Sequence, residues 1–290
     1  MKIFITGASG FIGKSLLPTL EGHDILCLSH SQPLKSTNCN VKTVTGDLND
    51  PESYIDALNL FKPDCCIHLA WSGIPDYSIN NSAKNLIAGI NLVKNLVEVD
   101  CEKILIIGSC WEYGNIEGKV SENLNPVEQN TFASFKTSLR IVSESICNES
   151  NTNLVWARAF FIYGPEQRDR ALIPSCYRSF KYGEKPKIDN PFARNDFVYI
   201  LDVVNSIRVL IETKDSCGIY NIGSGDNFPV WEVVNLVAGE LGLLHPYKDM
   251  PTTINSNYAD MSKMKMHDWI PKFSLASGIK RTVKFLEQNS

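Results

Sequence analysis

One seven-residue stretch constrains this chain more than any other. Gly7-Ala8-Ser9-Gly10-Phe11-Ile12-Gly13 directly follows a β-prone run at 2–6 and opens a helical pattern at 11–20. Each glycine has a separate physical use in that setting. Gly7 permits a tight turn, Gly10 lets a ligand approach the backbone, and Gly13 allows the helix to sit close on the strand. The free N–H groups of the first helical turn add partial positive charge, which suits a pyrophosphate. Alone, a glycine triplet also makes an ordinary turn; the order strand, triplet, helix is what points to a dinucleotide site. Ser9, Phe11 and Ile12 complete the candidate turn.

Short apolar runs then alternate with helical patterns. Strands are expected at 2–6, 25–28, 41–44, 64–69, 103–107 and 154–158. Several, such as Ile104-Leu105-Ile106-Ile107, are apolar on both faces, as parallel strands covered on each side require. Helices are expected at 11–20, 51–59, 82–99 and 131–148. In the third of these, Leu86, Ile90, Val93 and Val97 recur at helical spacing. The alternation predicts an α/β chain with a Rossmann-type doubly wound parallel sheet and a smaller C-terminal α/β substrate lobe. Past Tyr163-Gly164-Pro165 the pattern changes: a helix near 172–182, a strand at 197–201, and helices at 203–212, 230–241 and 275–288. The expected division is a nucleotide-binding domain at 1–165, joined by 196–213, and a substrate lobe at 166–195 and 214–290.

Composition excludes several classes. With 290 residues the chain is about two average domains or one large α/β unit, and its 43% hydrophobic content is ample for a core. A net charge of −4 argues against holding nucleic acid by bulk electrostatics. The nine cysteines lack any C-x-x-C and include the adjacent Cys65 and Cys66, so they read as reduced thiols and not as a metal site. No uncharged apolar run reaches 18 residues, so no membrane span is expected. The chain reads as soluble and cytoplasmic.

The end of the second strand bears on the cofactor. NAD sites place an acid there for the ribose hydroxyls, whereas NADP sites avoid one and often add a cation. The residues are Leu28-Ser29-His30-Ser31, with Lys35 nearby, and Asp24 precedes the strand at its wrong end. This favours NADP (NADPH), although a serine also tolerates NAD.

Further motifs, in order, resemble the extended short-chain dehydrogenases/reductases, the family of nucleotide-sugar epimerases, dehydratases and reductases. The glycine triplet, Gly46-Asp47-Leu48, His68-Leu69-Ala70-Trp71, Asn85, Gly108-Ser109-Cys110-Trp111-Glu112-Tyr113-Gly114, Arg158 with Tyr163-Gly164-Pro165, the stretch Asp196 to Val203, and Tyr220-Asn221-Ile222-Gly223 all match. The resemblance implies that Asp47 and Leu48 lie at the adenine and that Leu69, Ala70 and Phe160 lie beside the cofactor. It also implies that Ser109 is the catalytic hydroxyl and that Asn85 supports the active-site lysine. Substrate contacts would come from Trp71, Cys110, Trp111, Phe161 and Arg194. Two departures touch them: Phe161 replaces an asparagine of the family pattern, and Asn195 takes the usual arginine position, leaving Arg194 one place early. A dimer through the helices at 82–99 and 131–148 is a further implication.

The family's Y-x-x-x-K falls on Phe132-Ala133-Ser134-Phe135-Lys136. Positions 132 and 136 share a helical face. In the family the tyrosine exchanges the proton, and the lysine lowers its pKa and bonds the nicotinamide ribose. Phenylalanine keeps the ring and removes the proton. Three readings stay open: an engineered Tyr→Phe change, a natural phenylalanine with another donor, and a non-catalytic nucleotide sensor.

The remaining candidates have plainer readings beside the functional ones. His68 reads as a buried strand-end residue, Cys110 as packing, Trp71 and Trp111 as pocket wall or packing, and Arg168 and Arg170 as a solvated loop or a diphosphate contact. The family's dehydratases carry an Asp-Glu pair after the catalytic Thr, where this chain has Cys110-Trp111. The resemblance therefore points to a 4-ketoreductase acting with NADPH on a nucleotide-diphosphate sugar, dTDP favoured. A 4-epimerase or a sensor is the alternative.

Overall fold

The structure, a computed structural model, describes residues 1–30, 40–125, 130–248, 250 and 256–290. Its first half runs β1 (Lys2–Thr6), α1 (Phe11–Leu16), β2 (Asp24–Ser29), β3 (Val41–Thr45), α2 (Ile55–Phe61), β4 (Cys65–His68), α3 (Ile79–Glu98), β5 (Lys103–Ser109), β6 (Gly118–Val120) and α4 (Thr131–Asn148). The second half runs β7 (Asn153–Ala159), β8 (Phe161–Tyr163), α5 (Leu172–Lys181), β9 (Arg194–Asn195), β10 (Phe197–Tyr199), α6 (Ile200–Glu212), β11 (Gly218–Ile222), β12 (Phe228–Pro229), α7 (Val230–Glu240), β13 (Asn257–Ala259), α8 (Ser262–Lys265) and α9 (Leu275–Gln288).

Seven strands form one sheet in the order β11-β7-β5-β4-β1-β2-β3. β1 pairs in parallel with both β2 and β4, β2 with β3, and β4 with β5. This is the doubly wound parallel sheet that the alternation predicts. Reversal of strand order beside β1 places the carboxyl ends of β1 and β4 at the switch point where such sheets take ligands. The strands are dark on both faces: Ile3, Phe4 and Ile5 of β1 and Ile104, Leu105 and Ile106 of β5 are fully buried.

The chain divides into two compact units. The first comprises Met1–Gly114, Pro126–Arg158 and Val204–Tyr220; the second comprises Asn115–Asn125, Ala159–Val203 and Asn221–Ser290. The first holds the sheet, and its core packs Phe4, Cys66, Ile104, Ile106 and Trp156 against Leu92, Leu96 and Leu139 of α3 and α4. The second is organised around two buried aspartates. Asp196 accepts hydrogen bonds from the N–H groups of Ser224, Gly225 and Ala259, and Asp202 from those of Lys272 and Phe273.

Several boundaries differ from the sequence expectation for identifiable reasons. The first helix stops at Leu16 and tightens to a 3-10 turn at Leu17–Thr19, because Pro18 has no N–H to give. Pro51 likewise starts a 3-10 turn, Pro51–Ser53, ahead of α2. Ser78 caps α3 through the Asn81 N–H, so the helix begins three residues before Ser82. The strand expected to reach residue 201 ends at Tyr199, and Ile200 is already helical. Asp24 is the first residue of β2, not a residue before it.

The buried row of α3 is also not the one that apolar spacing suggests. Ser82, Asn85, Ala88, Gly89, Leu92, Val93 and Leu96 are buried, while Leu86, Ile90 and Val97 lie at the margin. Small residues win the central row because α4 packs there: a Cβ on Gly89 would meet Leu139 at 2.9 Å.

Candidate active site

The glycine turn is defined by what it leaves out. Gly7 has φ +75°, and a Cβ there would meet the Ala70 backbone nitrogen at 2.7 Å. A Cβ on Gly13 would lie 2.5 Å from backbone atoms of Ala8 and Gly7, so α1 rests directly on the turn. Gly10 differs. A Cβ on it would find only the Gly7 carbonyl oxygen, at 3.2 Å, and otherwise open space. Gly10 is also the N-cap of α1 and lays no side chain over the free N–H groups. Exposed Ser9 and half-buried Phe11 and Ile12 flank this cradle, and half-buried Leu69 and Ala70 close its other side. A dinucleotide pyrophosphate fits such a backbone-lined, uncapped groove.

At the end of β2, Ser29 is half-buried and exposed His30 lies 3.6 Å from Asp47 across the strand ends. Asp47 accepts from the backbone and side-chain N–H groups of Asn49, which, with His30, hold its carboxyl below the usual carboxylate range. Leu48 packs against the core. Ser31 and Lys35 lie outside the described residues.

The second half of the site gathers at the carboxyl ends of β4 and β5. Ser109 ends β5, and the spacing S-x-x-E is realised as a capping box with Glu112. The Ser109 N–H donates to Glu112 Oε1 at 2.8 Å, and Ser109 Oγ accepts from the Trp111 N–H at 3.2 Å. The serine's own proton thus stays available for an incoming acceptor. Glu112 is fully buried and is held by Trp156 Nε1 and Arg158 Nε, each at 3.0 Å. Gly108 leaves the room for it: a Cβ there would strike Trp156 Nε1 at 2.3 Å and Glu112 Oε1 at 2.6 Å.

Lys136 rises from α4 into this pocket and is almost completely buried. Its Nζ donates to the Ile107 carbonyl at 2.8 Å and lies 4.1 Å from the centre of the Trp71 ring. Burial pulls its pKa down to about 7, against the opposing pull of the Glu112 charge. His68 sits at the end of β4 with Nδ1 at 2.6 Å from the Thr6 hydroxyl. Burial, aided by the Lys136 charge, pushes its pKa down to about 3, so it is a neutral structural group.

Phe132, one turn before Lys136, is buried within a cage of rings. Trp71, Tyr77 and Trp111 meet it edge to face at 5.3, 5.1 and 5.7 Å, and Tyr77 also meets Trp111 at 5.4 Å. Trp71 Nε1 is buried without a hydrogen-bond partner among the described residues. Cys110 is buried.

Asn85 holds the loop that carries Trp71. Its Oδ1 accepts from the Ser72 N–H at 2.7 Å, and its Nδ2 donates to the carbonyls of Ser72 and Asn81. The amide is consumed in pinning the loop that carries Trp71, and Trp71 in turn faces Lys136. Phe160, Phe161 and Arg194 belong to the second unit. There Phe160 is buried with its N–H on the Ile222 carbonyl, Phe161 pairs in register with Phe197, and the Arg194 guanidinium bonds the Asn227 carbonyl.

Sequence reasoning missed Tyr77 and Asn81 and took Glu112 only as part of a motif. Glu112 carried a readable signal, its capping-box spacing from Ser109; Tyr77 carried none. Among the described residues, no cluster of His, Cys, Asp or Glu is arranged to hold a metal, and no helix is long and apolar enough to cross a membrane.

Comparison with known proteins gives the family and the fold. The profile of the NAD dependent epimerase/dehydratase family matches residues 3–223. GDP-6-deoxy-D-talose 4-dehydrogenase of Aggregatibacter actinomycetemcomitans is 29% identical over 244 residues, covering 82% of this chain and 79% of that one. The dTDP-D-glucose 4,6-dehydratase of Bos taurus is 24% identical over 99% of this chain and 89% of its own length. The dTDP-4-dehydro-6-deoxyglucose reductase of Escherichia coli is 24% identical over 97% and 96%. The structure of MoeE5 with UDP-glucuronic acid and NAD superposes with a TM-score of 0.86 at 23% identity, covering both chains completely.

Proposed function

The chain belongs to the NAD dependent epimerase/dehydratase family, and from that premise we propose that it reduces the 4-keto group of a nucleotide-linked 6-deoxyhexulose with NADPH. The observation that carries this reading is the pocket at Ser109. A hydroxyl with a free proton and a buried lysine stand beside a dinucleotide cradle, while the positions after Ser109 are Cys110 and Trp111. Dehydration needs an acid and a base where these two residues stand. Carbonyl reduction needs neither at these two positions.

A bound nicotinamide dinucleotide would supply the hydride chemistry. The chain's own residues do the rest. Gly7, Gly10 and Gly13 admit the pyrophosphate, Asp47 and Leu48 take the adenine end, and Lys136 holds the ribose hydroxyls. Ser109 donates to the carbonyl oxygen and stabilises the charge that develops there. Trp71, Phe132 and Trp111 wall out water. Preference for NADPH rests on the end of β2, where Ser29 and the cation-capable His30 stand in place of an acid. The favoured substrate is a dTDP-linked 6-deoxy-4-hexulose, the sugar reduced in dTDP-D-fucose formation. Exposed Ile79 and Ile87 on α3 and Ile141 on α4 support pairing of two copies through these helices.

The test is to supply dTDP-4-keto-6-deoxyglucose with NADPH or NADH, follow cofactor oxidation, and identify the sugar by NMR. Stoichiometric NADPH oxidation with a 4-hydroxyl product is expected. Interconversion of 4-epimers with no net cofactor consumption would establish the epimerase reading instead.

A further inference from the structure

The helix position that should carry the proton is phenylalanine, so a reductase built on this chain needs its acid from elsewhere. We propose that Tyr77 is the proton donor, delivered to the pocket by the loop between β4 and α3. The inference rests on the reductase reading and deepens it.

The pocket offers few alternatives. Glu112 is fully buried and committed to Ser109, Trp156 and Arg158. His68, at the end of the central strand β4, is a neutral partner of Thr6, and Tyr113 is fully buried against Arg158. Lys136 spends a donor on the Ile107 carbonyl. Of the three rings that meet at Phe132, only that of Tyr77 carries a hydroxyl, and the residue is half-exposed, with a path for reprotonation from water.

Its position is built, not incidental. Asn81 Nδ2 donates to the carbonyls of Ser72 and Asp76 at 2.9 and 2.7 Å, clasping both ends of the loop. Asn85 adds two bonds to Ser72, and Asp76 Oδ1 accepts from the Ser78 N–H. Two asparagines one turn apart on α3 thus fix the segment that presents the Tyr77 ring to Phe132 at 5.1 Å and to Trp111 at 5.4 Å. Trp111 in turn donates its N–H to the Ser109 hydroxyl.

The step balances as a ketone reduction. The reductant is a reduced nicotinamide; as the carbonyl carbon gains its hydrogen, the C=O π pair moves to oxygen. That oxygen, bonded by Ser109, takes the Tyr77 Oη proton, and the phenolate regains a proton from solvent. The alcohol and the oxidised nicotinamide leave.

The experiment compares the unaltered chain with Tyr77→Phe, Phe132→Tyr and the double variant, using NADPH and dTDP-4-keto-6-deoxyglucose. Tyr77→Phe is expected to lower kcat by at least ~10²-fold, the low end of general-acid contributions. The calorimetric Kd for dTDP-6-deoxyglucose should stay within about threefold, a factor worth well under 1.4 kcal/mol. Phe132→Tyr should restore turnover in the Tyr77→Phe background. A second readout needs no turnover: the ring resonance of tyrosine labelled with ¹³C, assigned as Tyr77 by its loss in Tyr77→Phe, should move when dTDP-6-deoxyglucose binds. Tyr77→Phe turning over at the unaltered rate, or a resonance that ignores bound nucleotide sugar, overturns the proposal. Turnover by Phe132→Tyr alone also overturns it while sparing the reductase reading. Turnover by no form defeats that reading and this proposal together.

Discussion

The glycine turn and the aromatic pocket stand at the carboxyl ends of neighbouring parallel strands, yet they are made by opposite means. The turn is a site of absences: no Cβ at Gly7, Gly10 or Gly13, and no side-chain cap on α1. Its ligand would be held by backbone. The pocket is a site of convergence, where Trp71, Tyr77, Ser109, Trp111, Phe132 and Lys136 arrive from three separate stretches of chain. The first kind depends on spacing along a few residues. The second depends on buried supports, above all Glu112, whose replacement would be felt at every group it holds.

That contrast can be broken experimentally, and its largest expected effect lies under the pocket. Glu112→Gln leaves the buried Arg158 without its counter-charge, and breaking such a pair costs about 3–5 kcal/mol. Chemical denaturation should show a loss of that size; a loss under about 1 kcal/mol would mean that the network is not a support. Ser109→Ala comes next. It should reduce kcat by about 10²–10³-fold, as loss of one oxyanion donor does, with the calorimetric Kd for the nucleotide sugar little changed.

The turn gives a smaller and sharper pair. Gly10→Ala has room in the free protein and an extended backbone at φ −78°, so the melting temperature should hold. Affinity for NADPH should nevertheless fall about tenfold or more, or roughly 1.4 kcal/mol. Gly13→Ala, whose Cβ strikes three backbone atoms at 2.5 Å, should instead lower the melting temperature of the cofactor-free protein. If both variants melt alike, the distinction between ligand-facing and packing glycines fails.

The most gradual effect is a pH slope. Lys136 has a folded pKa of about 7 against 10.5 for the free side chain. Between these values the unfolded chain binds a proton that the folded chain does not, so unfolding free energy rises with pH, by at most about 1.4 kcal/mol per unit. Below pH 7 both states are charged and the contribution is flat at its least favourable. Melting curves of the cofactor-free protein from pH 7 to 9.5 should therefore climb more steeply than those of Lys136→Met. Parallel curves would mean that the lysine is not desolvated.

How much of this was legible beforehand follows from the same contrast. The sheet, its parallel sense and the turn were readable because a two-faced apolar strand and a glycine spacing are local signals. The helix at 131–148 and the one at 275–288 match α4 and α9 residue for residue, since each is bounded by its own cap, Asn130 or Ser274. The buried row of α3 includes Ser82, Asn85 and Gly89, which apolar spacing does not mark; the close approach of α4 chose them. The resemblance implies that Asn85 supports the lysine; its amide bonds Ser72 and Asn81, and the Ser72 contact exists only once the loop folds back on the helix.

By itself, then, the order of residues determined the layered α/β sheet, the dinucleotide cradle and the absence of a tyrosine at 132, because each is set by identity and spacing along a short stretch. What faces Phe132, what lowers the Lys136 pKa and what steadies Ser109 were decided only by tertiary structure. Tyr77 lies far from Phe132 along the chain, and Glu112 far from Arg158; burial is a property of the whole packed unit. A desolvated lysine beside the rings of Trp71 and Phe132 cannot be written in any one segment.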